Sequence, residues 1–284
     1  MTDIDHSPTV RLRRLGLELR QLRKAAKMDI QDAADVLECS TSKISRLENG
    51  RTQRPDVHHV RKLCEAYGVS SETRINELVA LAREAKQRGW WSSFSDILSG
   101  EYVGLEAAAS SLRNWETSII PGLLQTPAYA AEVIRAAGVR ELRELERRVA
   151  VRMERQQLLL REKNPPQFWA VIDEAALLRP VGSSEVREEQ LRKLVDTSPL
   201  QHVKLQVLPF SAGPHAGLGG PFVILDFPHA MDRSVVYIET PTDGIYLEEA
   251  EQLKSYNLLF QHVCASALSV DASIAYLSDL IDKL

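Results

Sequence analysis

Residues 41–50, Thr-Ser-Lys-Ile-Ser-Arg-Leu-Glu-Asn-Gly, constrain this chain more than any other stretch of its length. Ile44 and Leu47 lie three apart, the spacing of core-facing residues on one side of a helix. At about 100° per residue, Ser42, Arg46 and Asn49 fall on nearly the opposite side, with Ser45 beside them. Gly50 follows as the expected left-handed terminator. The outward face therefore carries hydroxyls, a guanidinium and an amide, groups that hydrogen-bond base edges and phosphates. A polar helix face taken alone is most often simply solvated, so the flanking segments decide.

Upstream, 11–26 reads as an amphipathic helix with Leu12, Leu15, Leu19 and Leu22 as its apolar stripe. Asp29 is positioned to cap a short second helix over 30–37, with Asp32 a further anion in its first turn. Ala33, Ala34 and Leu37 are small enough contacts for two helices to cross closely. Residues 38–40 make a three-residue turn, and Ser40 or Thr41 caps the next helix. Helix, short turn and polar second helix make a helix-turn-helix.

These residues resemble the Xre, or lambda-Cro/C1-type, repressors over about 10–85. The likeness is carried by Arg23 and Glu48, Ala33, Ala34, Ile44, the Ser-Arg-Leu-Glu-Asn-Gly ending at Gly50, Arg51-Thr-Gln-Arg-Pro55, and Leu63-Cys-Glu-Ala-Tyr-Gly-Val-Ser70. It implies an all-α five-helix DNA-binding domain. It further implies that Thr41, Ser42 and Arg46 read bases, with Ser45 flanking, while Lys43, Asn49, Arg51 and Arg54 hold phosphates. Arg23 and Glu48 are implied to form a partly buried ion pair fixing the first helix to the third. Where the family often has glutamine at the start of helix two or three, Ile30 and Thr41 stand here.

With 284 residues the chain has room for two domains, and the helix-turn-helix needs only the first third. Net charge is −4, divided as +4 over residues 1–88 and −8 over the rest. That division fits nucleic-acid contact confined to one end, although scattered surface charge gives the same sums. Cys39, Cys64 and Cys264 are odd in number and far apart, which points to small buried residues rather than disulfides or a thiolate metal site. The polar amino terminus and the lack of any long apolar run lead to the expectation of a cytoplasmic protein with no membrane contact, nucleoid-associated when DNA-bound.

From 87 onward the expectation is a second domain, helical over 95–163 and mixed α/β over 164–284. Helices are expected at 102–111, 129–137, 141–162, 174–178, 184–195, 247–267 and 272–284, with Ser183 or Ser184 and Asp271 as caps. Strands are expected at 114–120, 168–172, 203–208, 222–227 and 234–239. Trp90-Trp91 reads as a junction between the domains. The fold class is thus multidomain, a five-helix Cro/C1-type domain (10–86) followed by a larger helical-then-mixed α/β domain (87–284).

This second part resembles a carboxy-terminal domain of unknown function found in actinobacterial regulators of the WhiJ-like, antitoxin-like group. Tyr102-Val-Gly-Leu-Glu106, Pro121-Gly-Leu-Leu-Gln-Thr126, Ile172-Asp-Glu-Ala175, Val207-Leu-Pro-Phe210 and Val236-Tyr-Ile-Glu239 are among the residues that carry the likeness. It implies a regulator whose second domain engages a small acidic partner protein encoded nearby, and no catalytic residue.

Chemistry is scarce. No phosphate-binding loop or His-Glu-x-x-His motif occurs. Asp226 and Glu239 end neighbouring expected strands, as nuclease carboxylates can, but without the lysine that chemistry needs. Asp173 and Glu174 read as anions at a helix start. His58 and His59 are adjacent and cannot share a metal. No enzyme activity, cofactor or metal is expected. Two functions stay open: a sequence-specific transcriptional regulator, dimeric on a palindromic double-stranded operator and controlled by a small-molecule effector or partner protein; or an antitoxin-like protein that neutralises a small adjacent-gene partner and autoregulates its operon. The apolar loops 119–125 and 209–221 are either core or the lining of that regulatory site.

Overall fold

Leucines three and four apart wind the first helix, α1 (Pro8–Ala25), so that Leu15 and Leu19 face inward and are fully buried. The computed structural model describes residues 8–52, 54–85, 94, 100–229, 232–241 and 244–284. The chain forms two compact units, Met1–Ala108 with His229–Asp232, and Ala109–Pro228 with Arg233–Leu284.

In the first unit, α1 is followed by α2 (Ile30–Val36), α3 (Thr41–Glu48), α4 (Val57–Ala66) and α5 (Glu72–Glu84). Asp29 caps α2 through a reciprocal box: its side chain accepts from the Asp32 amide at 2.9 Å, and the Asp32 carboxylate accepts from the Asp29 amide at 2.7 Å. Ser40 takes the cap position of α3 with its backbone carbonyl, and its side chain makes no capping bond. Asp56 and Ser71 cap α4 and α5. Leu15, Leu19, Ala33, Ala34, Ile44, Val60, Leu63, Cys64, Leu78 and Ala82 form one apolar core. Each leucine wholly buried there contributes about 1.5–3 kcal/mol relative to exposure.

A sixth helix, α6 (Gly100–Ala108), packs on α1, and Arg13 bonds Glu101 across that contact. The compact first unit thus runs to Ala108, beyond the boundary at 86 expected from sequence. Helical periodicity shows where a helix lies but not which core receives it. The Trp90-Trp91 junction lies outside the described residues.

The second unit is built on a six-stranded sheet ordered β3-β2-β1-β4-β5-β6: β1 (Ser111–Glu116), β2 (Gln167–Asp173), β3 (Val203–Leu208), β4 (Phe222–Asp226), β5 (Val235–Glu239) and β6 (Gly244–Leu247). β1, β2 and β3 are parallel; β4, β5 and β6 follow antiparallel, each to its neighbour. Helices α7 (Pro127–Ala136) and α8 (Leu142–Gln156) link β1 to β2, and α9 (Glu174–Leu178) and α10 (Ser184–Thr197) link β2 to β3. The closing helices are α11 (Ala250–Ser266) and α12 (Val270–Ile281). From α11, Phe260 and Val263 cover Trp115, Val171, Leu208, Phe222, Ile224 and Val236 on one face of the sheet.

Several expectations are corrected. β1 lies at 111–116 rather than 114–120, inside the stretch expected to be helical, so the second unit is not helical-then-mixed: its central strand comes first. β6 replaces the start of the helix expected from 247, and α11 begins only at Ala250. The helix expected over 141–162 ends at Gln156 and tightens into a 3-10 turn, Gln157–Leu160, which buries the adjacent Leu158 and Leu159 together. Ser269 rather than Asp271 caps α12, and Ser183 caps α10. Of the three cysteines only Cys64 is fully buried; Cys39 and Cys264 are half-buried. No single described helix is long and apolar enough to cross a membrane. The adjoining α11 and α12 together have that length and composition, but bend by 60° at their break.

Candidate nucleic-acid interface

α3 is held from beneath by close backbone approach. A Cβ on Gly16 would lie 2.6 Å from the carbonyl oxygens of both Leu47 and Glu48, so α1 reaches the end of α3 only because residue 16 has no side chain. Sequence reasoning missed this residue. Its signal was a glycine within a leucine-striped helix, where it costs about 1 kcal/mol against alanine and so needs a packing reason.

The second brace is ionic. Near the end of α1, Arg23 donates from Nε to Glu48 Oε1 and from Nη2 to Glu48 Oε2, both at 2.7 Å, and from Nη1 to the Met28 carbonyl at 3.0 Å. Both side chains are buried, Arg23 to 8 % exposure and Glu48 to 6 %. The paired fork fixes orientation as well as distance. The hydrogen bond to Glu48 is the main reason that the guanidinium is held above its usual pKa. Beside the pair, burial pushes the Tyr67 hydroxyl well up, and that oxygen has no hydrogen-bond partner among the described residues.

With Ile44, Leu47 and Glu48 turned inward, Ser42, Arg46 and Asn49 are exposed, and Thr41, Lys43 and Ser45 are half-buried. Asn49 Nδ2 donates to Ser45 Oγ at 3.3 Å, tying two residues of the outer face. The helix then stops in a paired-bond terminator. Gly50, at φ +67°, donates to the Leu47 carbonyl at 3.1 Å, and Arg51 to that of Arg46 at 2.8 Å. A Cβ on Gly50 would also meet the Arg13 backbone at 2.9 Å. Arg51 and Arg54 follow, both exposed. Lys43, Arg46, Arg51 and Arg54 enter no ion pair among the described residues, whereas Arg11, Arg13, Arg23 and Arg74 are neutralised by Glu84, Glu101, Glu48 and Glu18. Four unneutralised cations thus lie on α3 and the loop after it, beside the exposed polar face. An eight-residue helix is about 12 Å long, matching the major-groove width of about 12 Å.

In the second unit, the loop 119–125 is core. Ile120, Leu123, Leu124 and Gln125 are buried, and a polar network pins its backbone: Gln156 Nε2 to the Gln125 carbonyl at 2.7 Å, Lys193 Nζ to the same carbonyl at 2.8 Å, and Gln190 Nε2 to that of Leu124 at 2.8 Å. Burial holds Lys193 below its usual pKa. The loop 209–221 is mixed. Gly217 is buried and its carbonyl accepts from Trp115 Nε1 at 2.9 Å, while Phe210 and Leu218 are exposed. Asp173 caps α9 through the Ala175 amide at 2.8 Å and lies 3.8 Å from His215 Nε2. Glu174 accepts from Tyr276 Oη at 2.6 Å and from the Phe210 amide at 2.5 Å. Asp226 pairs with Arg113 at 2.9 Å and, since β4 and β5 are antiparallel, lies at the opposite end of the sheet from Glu239. Those two carboxylates therefore do not converge. His58 is exposed and His59 half-buried on α4, and no group of three or more His, Cys, Asp and Glu among the described residues is placed to hold a metal ion.

Residues 14–78 match a family described as a helix-turn-helix domain, and residues 99–279 match one described as a domain of unknown function, DUF5753. No curated protein and no solved structure matches the chain.

Proposed function

The chain belongs to the DUF5753 family, with a helix-turn-helix domain ahead of the shared domain, and we propose that it is a sequence-specific transcriptional regulator whose second unit controls DNA binding. The observation that carries this reading is the outer face of α3, where Ser42, Arg46 and Asn49 stand exposed on a helix braced by Gly16 and by the Arg23–Glu48 pair. Arg46 reads guanine through O6 and N7, and Thr41 and Ser42 read neighbouring bases. Lys43, Asn49, Arg51 and Arg54 hold phosphates and set the register. The likeness to Cro/C1-type repressors supports the same docking.

One such helix reads only a few base pairs, so the protein acts as a homodimer on two half-sites about one helical turn apart. The second unit acts by binding a small effector or partner rather than by catalysis. Occupancy there shifts operator affinity through a difference in affinity between two arrangements of the dimer. Sequencing of DNA selected by the purified full chain tests the reading, and a palindromic consensus that Arg46→Ala degrades is the expected result. Recovery of random DNA by both proteins would end it. Tight capture of the adjacent gene's product with no operator selected would instead favour the neutralising, antitoxin-like role.

A further inference from the structure

α1 carries six cations, and the fold pairs four of them with carboxylates: Arg11 with Glu84, Arg13 with Glu101, Arg14 with Asp232 at 3.8 Å and Arg23 with Glu48. The other two, Arg20 and Lys24, are exposed and enter no ion pair among the described residues. Being four apart, they stack on one face of the helix, about 6 Å from each other along its axis. The contacts of α1 with the end of α3 fix where that face lies. At about 100° per residue, both fall within about 20° of Arg13, whose backbone a Cβ on Gly50 would meet at 2.9 Å. Both fall within about 80° of Gly16, which lies against the Leu47 and Glu48 carbonyls. Leu15 and Leu19, which face the core, are about 100° or more away. Arg20 and Lys24 thus continue the flank on which α3 ends, about 10 and 16 Å beyond Arg13.

The other helix packed on α3 at the turn of the motif is α2, and its charge is opposite. From 28 to 40 the chain holds Asp29, Asp32, Asp35 and Glu38, all exposed, and no lysine or arginine. Asp29 and Asp32 accept from each other's backbone amides, and Asp35 accepts from Gln31 Nε2 at 2.8 Å. None of the four carboxylates is in an ion pair among the described residues. In a helix-turn-helix the first helix of the motif ordinarily crosses the DNA backbone. Here that helix would set four carboxylates against phosphates, and like charges brought together oppose binding.

We infer that Arg20 and Lys24 hold the phosphodiester backbone beside the groove that α3 enters, so that bound DNA is clamped along α1 and not along α2. The guanidinium takes a phosphate through two N–H donors, and the ammonium meets it as a point charge. Because neither cation is paired in the protein, phosphate contact releases counterions from the DNA without breaking an existing ion pair. Lys27, exposed on the turn after α1, adds to the same positive potential. The inference rests on the reading of α3 as the base-reading helix and names backbone contacts that seat it.

The test uses the full chain and the DNA site that it selects. Titrations at several salt concentrations compare the wild type with Arg46→Ala, Arg20→Ala/Lys24→Ala and Asp35→Asn/Glu38→Gln. Phosphate-ethylation interference maps the backbone contacts of each. All these substitutions are at exposed positions and should keep the wild-type circular dichroism. Arg20→Ala/Lys24→Ala is expected to weaken the selected site and unrelated DNA alike, about tenfold at about 0.1 M salt, and to reduce the salt slope by about two. It should also lose interference at phosphates flanking each half-site. Asp35→Asn/Glu38→Gln is expected to change affinity by less than about threefold. An unchanged salt slope in the Arg20/Lys24 variant overturns the inference, as does weaker binding with the interference pattern intact, the mark of bulk charge alone. A larger gain in the Asp35/Glu38 variant also overturns it, by placing the backbone on α2. If either occurs while Arg46→Ala still weakens the selected site, the base-reading role of α3 stands without this clamp. A full chain that binds no DNA removes both.

Discussion

Arg23 near the end of α1 and Glu48 at the end of α3 share two hydrogen bonds of 2.7 Å, though 25 residues separate them in sequence. The helix bearing the exposed polar face is thus oriented by a charge pair at its base. Removing either partner strands the other charge in the core, so Arg23→Ala or Glu48→Ala should each cost about 3–5 kcal/mol. Replacing both by apolar residues of similar volume should recover most of that loss. Urea denaturation of the three variants measures this, and single variants within about 0.5 kcal/mol of wild type would refute the assignment.

Gly16→Ala should destabilise the first unit by about 1–3 kcal/mol despite the better helix propensity of alanine, because the added methyl meets two backbone carbonyls and not a yielding side chain. Gly68→Ala, where a Cβ meets nothing within 4 Å, is the contrasting variant. There φ is +77°, so its cost is backbone strain without a clash. Melting curves for both, together with operator binding, distinguish the mechanisms: only the Gly16 variant should shift α3 and weaken DNA binding.

On DNA, Arg46→Ala should cost about 1–3 kcal/mol on the selected operator and relax preference at one position per half-site. Lys43→Ala and Arg54→Ala should weaken all sequences alike and reduce the salt slope by about one each. Titrations at several salt concentrations separate the two classes. An Arg46 variant with unchanged operator affinity would remove that residue from base readout.

The stability of the second unit should carry a pH signature from Glu116. Burial first, and the nearby Glu239 second, raise its folded pKa from 4.5 to about 8, so between those values the unfolded chain has released a proton that the folded chain keeps. Stability contributed by this group is then present below about pH 4.5 and lost as pH rises through about 8. Glu116→Gln should flatten that decline, most visibly in the slope between about pH 5 and 8. Parallel slopes for variant and wild type from pH 5 to 9 would show that the carboxyl is not perturbed.

The first unit was legible in sequence because its information is local. Leu15 and Leu19, the Asp29–Asp32 box and Gly50 each act within a turn or two of helix, which periodicity reads directly. What it could not read was the crossing of α1 over α3, where the deciding residue is a missing side chain at Gly16. The second unit was legible only in pieces. β1 alternates only as far as Asn114, after which Trp115 is buried as well, and its polar asparagine disguises a central strand. β6 has four residues and a half-exposed pattern. Asn114, Glu116 and Glu239 share one face only through strand pairing, since more than 120 positions separate Glu239 from the other two.

The place of β1 in the sheet also sets an order of events. Its two neighbours are β2, beginning at Gln167, and β4, ending at Asp226, so the middle of the sheet waits for chain made long after it. Contacts of such separation form slowly, whereas helices packed on near neighbours form fast. During synthesis the DNA-reading helices should therefore reach their fold while β1 is still bare on both edges. A chain halted before β4 would hold a finished DNA-binding face beside an unpaired strand that invites aggregation.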